Sequence, residues 1–375
     1  MFSKKTIRDT DVKGRTVLVR ADYNVPLEAV VAGEGAIGIA DTGEAMRITS
    51  DFRIRAGLPT LQYLLEHEVG KIIIISHLGR PNDERDPKLS LAVVAEKLAE
   101  LLPGIVVNFV DEATGPEVEA AVESLPEGGI LLLENLRFSP EEKANSTDFA
   151  RAIVDSTQAE LFIQDGFAVT HRTHASTVAI TEILPSFAGL LLEKEVHTLT
   201  QVTTNPERPF VVIIGGAKVA DKQPLIEQFY DLADHILVGG KIAADGYQAK
   251  NAQVYVAEDF DTNEAGEKLD IGPISTMHMI EAIRDAKTIL WNGTLGKVED
   301  PAYATSSTII AKAIGENYEL TSIICGGDTS GFIEGLKASD ENLQYSLIST
   351  GGGAALKLLL GQSLPGIDHL EDKQN

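Results

Sequence analysis

Cysteine is almost missing from this chain: Cys325 is the only one in 375 residues. No intramolecular disulfide can form, and that composition leans towards a reducing compartment. Positive charge is scarce too. The 32 Lys and Arg face 56 Asp and Glu, a formal net charge of −24. A nucleic-acid binder needs a basic face to neutralise phosphates, and anionic membranes repel an acidic surface, so neither partner is expected. Long apolar runs are also lacking. Nothing approaches the ~18 residues of a spanning helix, and the opening MFSKKTIRDTDVKG has no apolar stretch of the kind a signal peptide carries. A cytoplasmic monomer is the expectation. There is no GxxxxGK[ST], which excludes a P-loop kinase.

What the chain has is a recurring short apolar strand. TVLVR (16–20), KIIII (71–75), ILLLE (130–134) and ELFIQ (160–164) punctuate the first half. FVVII (210–214), HILV (235–238), QVYVA (253–257), TILW (288–291), TSIIC (321–325) and SLIS (346–349) punctuate the second. Continuous apolar strands alternating with helical spacing, as in PTLQYLLEHEV and LSLAVVAEKLAELL, predict parallel sheets covered on both faces. The length exceeds one ordinary core, and 43% hydrophobic content can fill two. The expected fold is α/β, with two Rossmann-like domains, each a parallel sheet flanked by helices, separated by a cleft. The expected divisions are 1–184, a connecting helix and hinge over 185–204, 205–361, and a tail over 362–375 that returns to the first domain.

Ligands of open parallel sheets sit beyond the carboxyl ends of the strands. In the first half those ends read RADYN (20–24), SHLGRP (76–81), ENLRF (134–138) and QDGFAVTHRTHAS (164–176), with DFRIR (51–55) opening a helix. They concentrate Arg53, His77, Arg80, Arg137, His171, Arg172 and His174. Arginine forks match carboxylate and phosphate. Isolated surface ion pairs are the plainer reading of any one of them, but not of the set. Asp22 and Asn24 orient these arginines, bind a substrate hydroxyl, or cap a turn. The second half ends its strands in GGAKVADK (215–222), GGKIA (239–243), WNGTLGKVE (291–299), CGGDT (325–329) and STGGGA (349–354). Glycines let backbone N–H groups approach an anion, and a helix N-terminus adds partial positive charge. Lys218 and Lys222 can neutralise phosphates. Asp328 can hold Mg²⁺ through oxygen or cap its helix.

The ordered series VLVRADYNVP, RIRAGLPT, SHLGRP, ENLRF, HRTHAST, AGLLLEKE, IIGGAKVADK, DIGP, KTILWNG, GGDT and STGGGA with LPG resembles the phosphoglycerate kinase family over nearly the whole chain. The resemblance implies reversible phosphoryl transfer between 1,3-bisphosphoglycerate and Mg-ADP, giving 3-phosphoglycerate and ATP. It implies that Asp22, Asn24, Arg53, His77, Arg80, Arg137 and Arg172 bind 3-phosphoglycerate. Gly216, Lys218, Lys222, Gly239, Asn292, Glu299, Gly326, Gly327, Asp328 and Thr329 would serve the adenine nucleotide. Asp328 would hold Mg²⁺, and Arg53 and Lys218 would flank the phosphoryl group in flight. The acceptor carboxylate is already ionised at neutral pH, so no general base is needed.

The sequence departs from the family pattern in places. The usual NDAFG reads Gln164-Asp165-Gly166-Phe167-Ala168, and the triple glycine reads Gly239-Gly240-Lys241. GPMG reads Gly293-Thr294-Leu295-Gly296, and Cys325 replaces a glycine of GGGDT. The segment 27–49 is long and that between Gly240 and Asp270 is short. The short segment predicts a poorly walled base and weak discrimination between ATP and GTP, unless Tyr247 or Phe260 closes the gap. A non-catalytic or altered-nucleotide relative is the alternative reading, and a two-lobed solute-binding protein a third.

Overall fold

The computed structural model describes residues 2–31, 37–39, 44–81, 85–217 and 219–373. The chain divides into two compact units, one of Phe2–Lys194 with Ser363–Asn375 and one of Glu195–Gln362.

The first unit is built on a six-stranded sheet, ordered Val107–Val110, Gly129–Leu133, Lys71–Ile75, Thr16–Arg20, Leu161–Gln164, Ser186–Ala188. All its pairings are parallel. Alternate side chains feed two cores. Val17, Val19, Ile72, Ile74, Ile130 and Leu132 enter one, while Leu18, Ile73, Ile75, Leu131, Leu133 and Phe162 enter the other. That two-sided burial is why the strands read as unbroken apolar runs. The chain leaves Thr16–Arg20 towards one side of the sheet and later fills the other, which makes this strand the switch point where a ligand crevice opens. Register aligns the tops, with Arg20 opposite Ile75 and Gln164.

The second unit repeats the design, ordered Val254–Val256, His235–Val238, Phe210–Ile214, Thr288–Asn292, Thr321–Cys325, Leu347–Ile348. Its pairings are parallel throughout. Ile214 faces Val238 on one side and Asn292 on the other, and Asn292 faces Cys325. The glycine-rich turns after these residues therefore share one edge.

Three elements differ from the sequence expectation. Ser186–Ala188 is an edge strand, and the connecting helix starts at Leu190. Asp165 explains the late start: its Oδ1 accepts from Leu191 N at 3.0 Å and Leu192 N at 3.4 Å. A Cβ on Gly189 would lie 2.0 Å from that oxygen, so the cap requires glycine. Segment 27–49 forms a three-stranded antiparallel sheet, Leu27–Val31, Glu44–Ile48 and Ile37–Ile39, with 32–36 and 40–43 outside the described residues. The short segment after Gly240 holds the helix Gly240–Ala244, the edge strand Val254–Val256, and a hairpin of Phe260–Thr262 with Lys268–Ile271.

The tail packs in the first unit. Lys5 N donates to Glu371 O at 2.7 Å, Glu371 N to Ser186 O at 3.0 Å, and Gly366 N to Thr170 O at 2.8 Å. Leu364, Ile367 and Leu370 are buried.

Candidate functional sites

In the first unit the strand tops gather a basic constellation. Arg20 closes the strand Thr16–Arg20 and is wholly buried. Its Nε donates to Ser176 Oγ at 2.9 Å, its Nη1 to Ala21 O, and its Nη2 reaches His77 Nδ1 at 3.1 Å. Burial pulls the Arg20 guanidinium down to about 10, with Glu142 pulling the other way. Burial, then Arg20, Arg137, Arg53 and His174, hold the His77 imidazole well below its ordinary value, so it is neutral. Arg53, on the first turn of the helix Phe52–Glu66, pairs through Nη1 with buried Asp22 Oδ2.

The turn after His77 is held from two sides. Gly79 N donates to Asn24 Oδ1 at 2.8 Å, and Arg137 Nη1 donates to Gly79 O at 2.7 Å. The left-handed φ of +64° at Gly79 makes that turn possible. Burial brings Arg137 down to about 10, and Arg20, Arg172 and Arg80 push the same way. Arg80 and Arg172 are exposed and, among the described residues, carry no ion pair. Five arginines and the neutral His77 thus converge within a chain of net charge −24, an arrangement suited to a small polyanion.

In the second unit an open pocket of about 250 Å³ lies at the strand tops. Gly216, Gly240, Lys241, Phe260, Glu299 and Asp328 are among its lining residues. The loops meet through bare backbone. A Cβ on Gly293 would stand 2.2 Å from Gly215 O, and one on Gly215 would stand 2.2 Å from Thr294 O. Buried Asn292 accepts from Lys222 Nζ through Oδ1. Gly293 N donates to Thr329 Oγ1 at 3.0 Å. A Cβ on Gly326 would lie 3.5 Å from Thr329 Oγ1 and 3.8 Å from Asn292 Nδ2, which brings Gly326, Thr329 and Asn292 together. Gly326 leads into the helix Gly327–Ser339, whose first-turn N–H groups suit an anion. Asp328 is exposed and supplies no cap to that helix. Gly239 caps the helix Gly240–Ala244 and packs against Leu295. Lys218 lies outside the described residues.

Of the two outcomes the sequence left open for the shortened segment, a bare side or a wall from Tyr247 or Phe260, the pocket shows Phe260. Phe260 lines the pocket on the hairpin, with Ala244, Leu269 and Leu295. Lys268 Nζ lies 4.4 Å from the Phe260 ring centre, and the Lys268 side chain also lines the pocket. Tyr247 points elsewhere, its hydroxyl 3.4 Å from that of Tyr230. Asp270, held by Ser306 N at 3.0 Å, also lines the pocket; burial raises its carboxyl above the ordinary range.

The phosphoglycerate kinase family model matches residues 7–258 and 244–362. The chain belongs to the phosphoglycerate kinase family. The two matched stretches overlap at 244–258, inside the shortened segment. The chain is 36% identical over 406 residues to the phosphoglycerate kinase of Coprothermobacter proteolyticus, covering 97% of this chain and 98% of the relative. It is 38% identical over 422 residues to that of Dictyoglomus turgidum, covering 99% and 100%. Among solved structures, the phosphoglycerate kinase of Pyrococcus horikoshii OT3 superposes with a TM-score of 0.80 at 25% identity, covering 98% of both chains. That of Coxiella burnetii gives 0.74 at 27% identity, again covering 98% of both. Within a family of kinases, the polyanion site and the glycine-edged pocket acquire a chemical meaning.

Sequence reading missed Arg20, Glu142 and Ser176 in the first unit and Lys268 and Asp270 in the second; Phe260 it named as a possible wall. An arginine ending an apolar strand, as in TVLVR, was the available signal for the first.

Proposed function

We propose that this chain catalyses reversible phosphoryl transfer between 1,3-bisphosphoglycerate and ADP, giving 3-phosphoglycerate and ATP. The unit Phe2–Lys194 with the tail takes the phosphoglycerate, and the unit Glu195–Gln362 takes the nucleotide. What carries the reading is the convergence of Arg53, His77, Arg80, Arg137 and Arg172 on the strand tops of a strongly acidic chain that belongs to this family. Arg80 and Arg172 meet the substrate's charged ends, Asp22 and Asn24 orient the cationic groups and its hydroxyl, and neutral His77 donates a hydrogen bond. Arg53 meets the transferring group, and Lys218 serves the nucleotide phosphates.

The acceptor in the ATP-consuming direction is a carboxylate, so these residues need to orient and neutralise rather than deprotonate. Gly326 and Gly327 offer backbone N–H groups to phosphates, with Lys222, Asn292 and Thr329 beside them. The N–H groups of Gly216 and Gly239 are held by Thr294 O and Ile214 O, and these two glycines serve the nucleotide by letting it approach the backbone closely. Glu299 takes the ribose hydroxyls. Mg²⁺ fits Asp328: the carboxylate lines the pocket and is exposed, while no cluster of three or more His, Cys, Asp and Glu exists among the described residues. One carboxylate plus substrate phosphates is the usual way a protein holds this ion. When bound, Mg²⁺ neutralises charge on the transferred oxygens. No helix among the described residues is long and apolar enough to cross a membrane, and we place the enzyme in the cytoplasm as a monomer.

Isothermal titration of 3-phosphoglycerate into wild type and into Arg80→Ala/Arg172→Ala tests the assignment. Binding by wild type and at least tenfold weakening in the variant are expected. Equal affinity would move the substrate elsewhere.

A further inference from the structure

Beneath the basic constellation lies a carboxylate that the reaction as described does not use. Glu142, on the short helix Pro140–Lys143, is fully buried. Its Oε1 accepts from Ser176 Oγ at 2.6 Å and its Oε2 from Ser176 N at 2.9 Å. His174 Nδ1 lies 3.5 Å from Oε1. Ser176 Oγ in turn accepts from Arg20 Nε at 2.9 Å, and Arg20 Nη2 lies 3.1 Å from His77 Nδ1. These contacts form one continuous chain, Glu142 to Ser176 to Arg20 to His77.

The donors in this chain run one way. A guanidinium has no acceptor, so Nδ1 of His77 accepts from Arg20 and the ring proton sits on Nε2. His77 then offers an N–H away from Arg20. Ser176 Oγ accepts from Arg20 through a lone pair, and Glu142 Oε1 takes its proton, which fixes the hydroxyl rotor with that lone pair towards Arg20. Burial alone would raise the Glu142 carboxyl, but His174, Arg20 and Ser176 together hold it below its ordinary range, so the charge is present. That charge also offsets the burial of Arg20. A buried ionised carboxylate whose hydrogen bonds go to one loop and whose charge faces Arg20 and Arg137 fixes geometry rather than adding bulk.

We propose that Glu142 is a positioning residue for phosphoglycerate binding, which through Ser176 holds Arg20 and so sets the proton of His77 on Nε2. The proposal rests on the functional reading above for its substrate, but the hydrogen-bond relay stands independently of it. Ser176→Ala removes one hydroxyl from the relay with little change in volume. Glu142→Gln removes the charge and turns one acceptor into a donor facing Ser176 N. Two readouts apply. In ¹⁵N spectra of histidine-labelled protein, His77 should show the Nε2–H tautomer in wild type and a tautomer mixture in both variants. In steady-state kinetics, KM for 3-phosphoglycerate should rise about tenfold, with KM for ATP unchanged and kcat changed less than threefold.

A merely structural Glu142 would lower the melting temperature without moving the tautomer or splitting the two KM values. An unmoved tautomer in folded Ser176→Ala overturns the relay. A mixed tautomer with unchanged KM for 3-phosphoglycerate overturns the positioning role. Failure of wild type to turn over 3-phosphoglycerate overturns the functional reading instead, and is seen before either variant is made.

Discussion

Arg53 and Asp328 differ in what surrounds them, and that difference separates their expected roles. Arg53 is paired with buried Asp22, which pre-sets its guanidinium rather than leaving it to solvent. Its charge matters most when the phosphoryl group is in transit. Arg53→Ala should therefore lower kcat by ~10²–10³-fold, the usual cost of one such electrostatic donor. A kcat within a few-fold of wild type in folded protein would remove Arg53 from the reacting group. Asp328 caps no helix and lines the pocket. Asp328→Asn should weaken Mg-ATP binding in calorimetric titration and leave 3-phosphoglycerate affinity within twofold; parallel loss of both would point to a collapsed site. Glu142 gives a pH signature. Its carboxyl lies below the ordinary value of 4.5 in the folded chain. It therefore contributes stability above that pH, and the contribution is lost as pH falls through the folded value. The melting-temperature gap between wild type and Glu142→Gln should be full at pH 7 and shrink in acid below ~4.5. A gap that does not narrow would mean that charge is not what Glu142 supplies.

Among the elements, the central strands were legible because burial on both faces leaves no polar positions to blur the run. KIIII and FVVII are the clearest cases. The strand tips were legible too, because Arg and His have few structural reasons to recur there, whereas each glycine taken singly is also what a tight turn needs. Val107–Val110 and Ser186–Ala188 were not, since edge strands are half exposed or only three residues long. The hairpin Phe260–Thr262 with Lys268–Ile271 was the most consequential omission. Its FDTNEAGEKLDI reads as a polar loop, and only the pairing of Phe260 with Ile271 turns Phe260 into the pocket. Lys218 stays an expectation, since the structure does not describe it. The hairpin carries a prediction. An aromatic face against a base is worth ~1–3 kcal/mol, so Phe260→Ala should raise KM for ATP roughly ten- to a hundredfold while KM for 3-phosphoglycerate stays put. Unchanged KM for ATP would show that the base lies away from the hairpin.

At the scale of the whole molecule, the chain's two ends are joined within one unit. Lys373 N donates to Ser3 O at 2.8 Å, and Leu364, Ile367 and Leu370 bury apolar surface against the fold. The tail also supports the loop that carries Arg172 and Ser176, since Gly366 N binds Thr170 O. Burying each such side chain contributes ~1.5–3 kcal/mol. Deleting 363–375 should lower the melting temperature of the first unit by several degrees in calorimetry, and raise KM for 3-phosphoglycerate. An unchanged thermogram would mean the tail adds no stability. The central claim concerns the chemistry of the assembled chain, and one assay reaches it directly. Purified full-length protein is given 3-phosphoglycerate, ATP and Mg²⁺, and acyl phosphate formation is followed by coupling to NADH oxidation. The account predicts turnover that requires all three components and falls by ~10²–10³-fold in Arg53→Ala. No 3-phosphoglycerate-dependent oxidation above the coupling enzymes alone would contradict it.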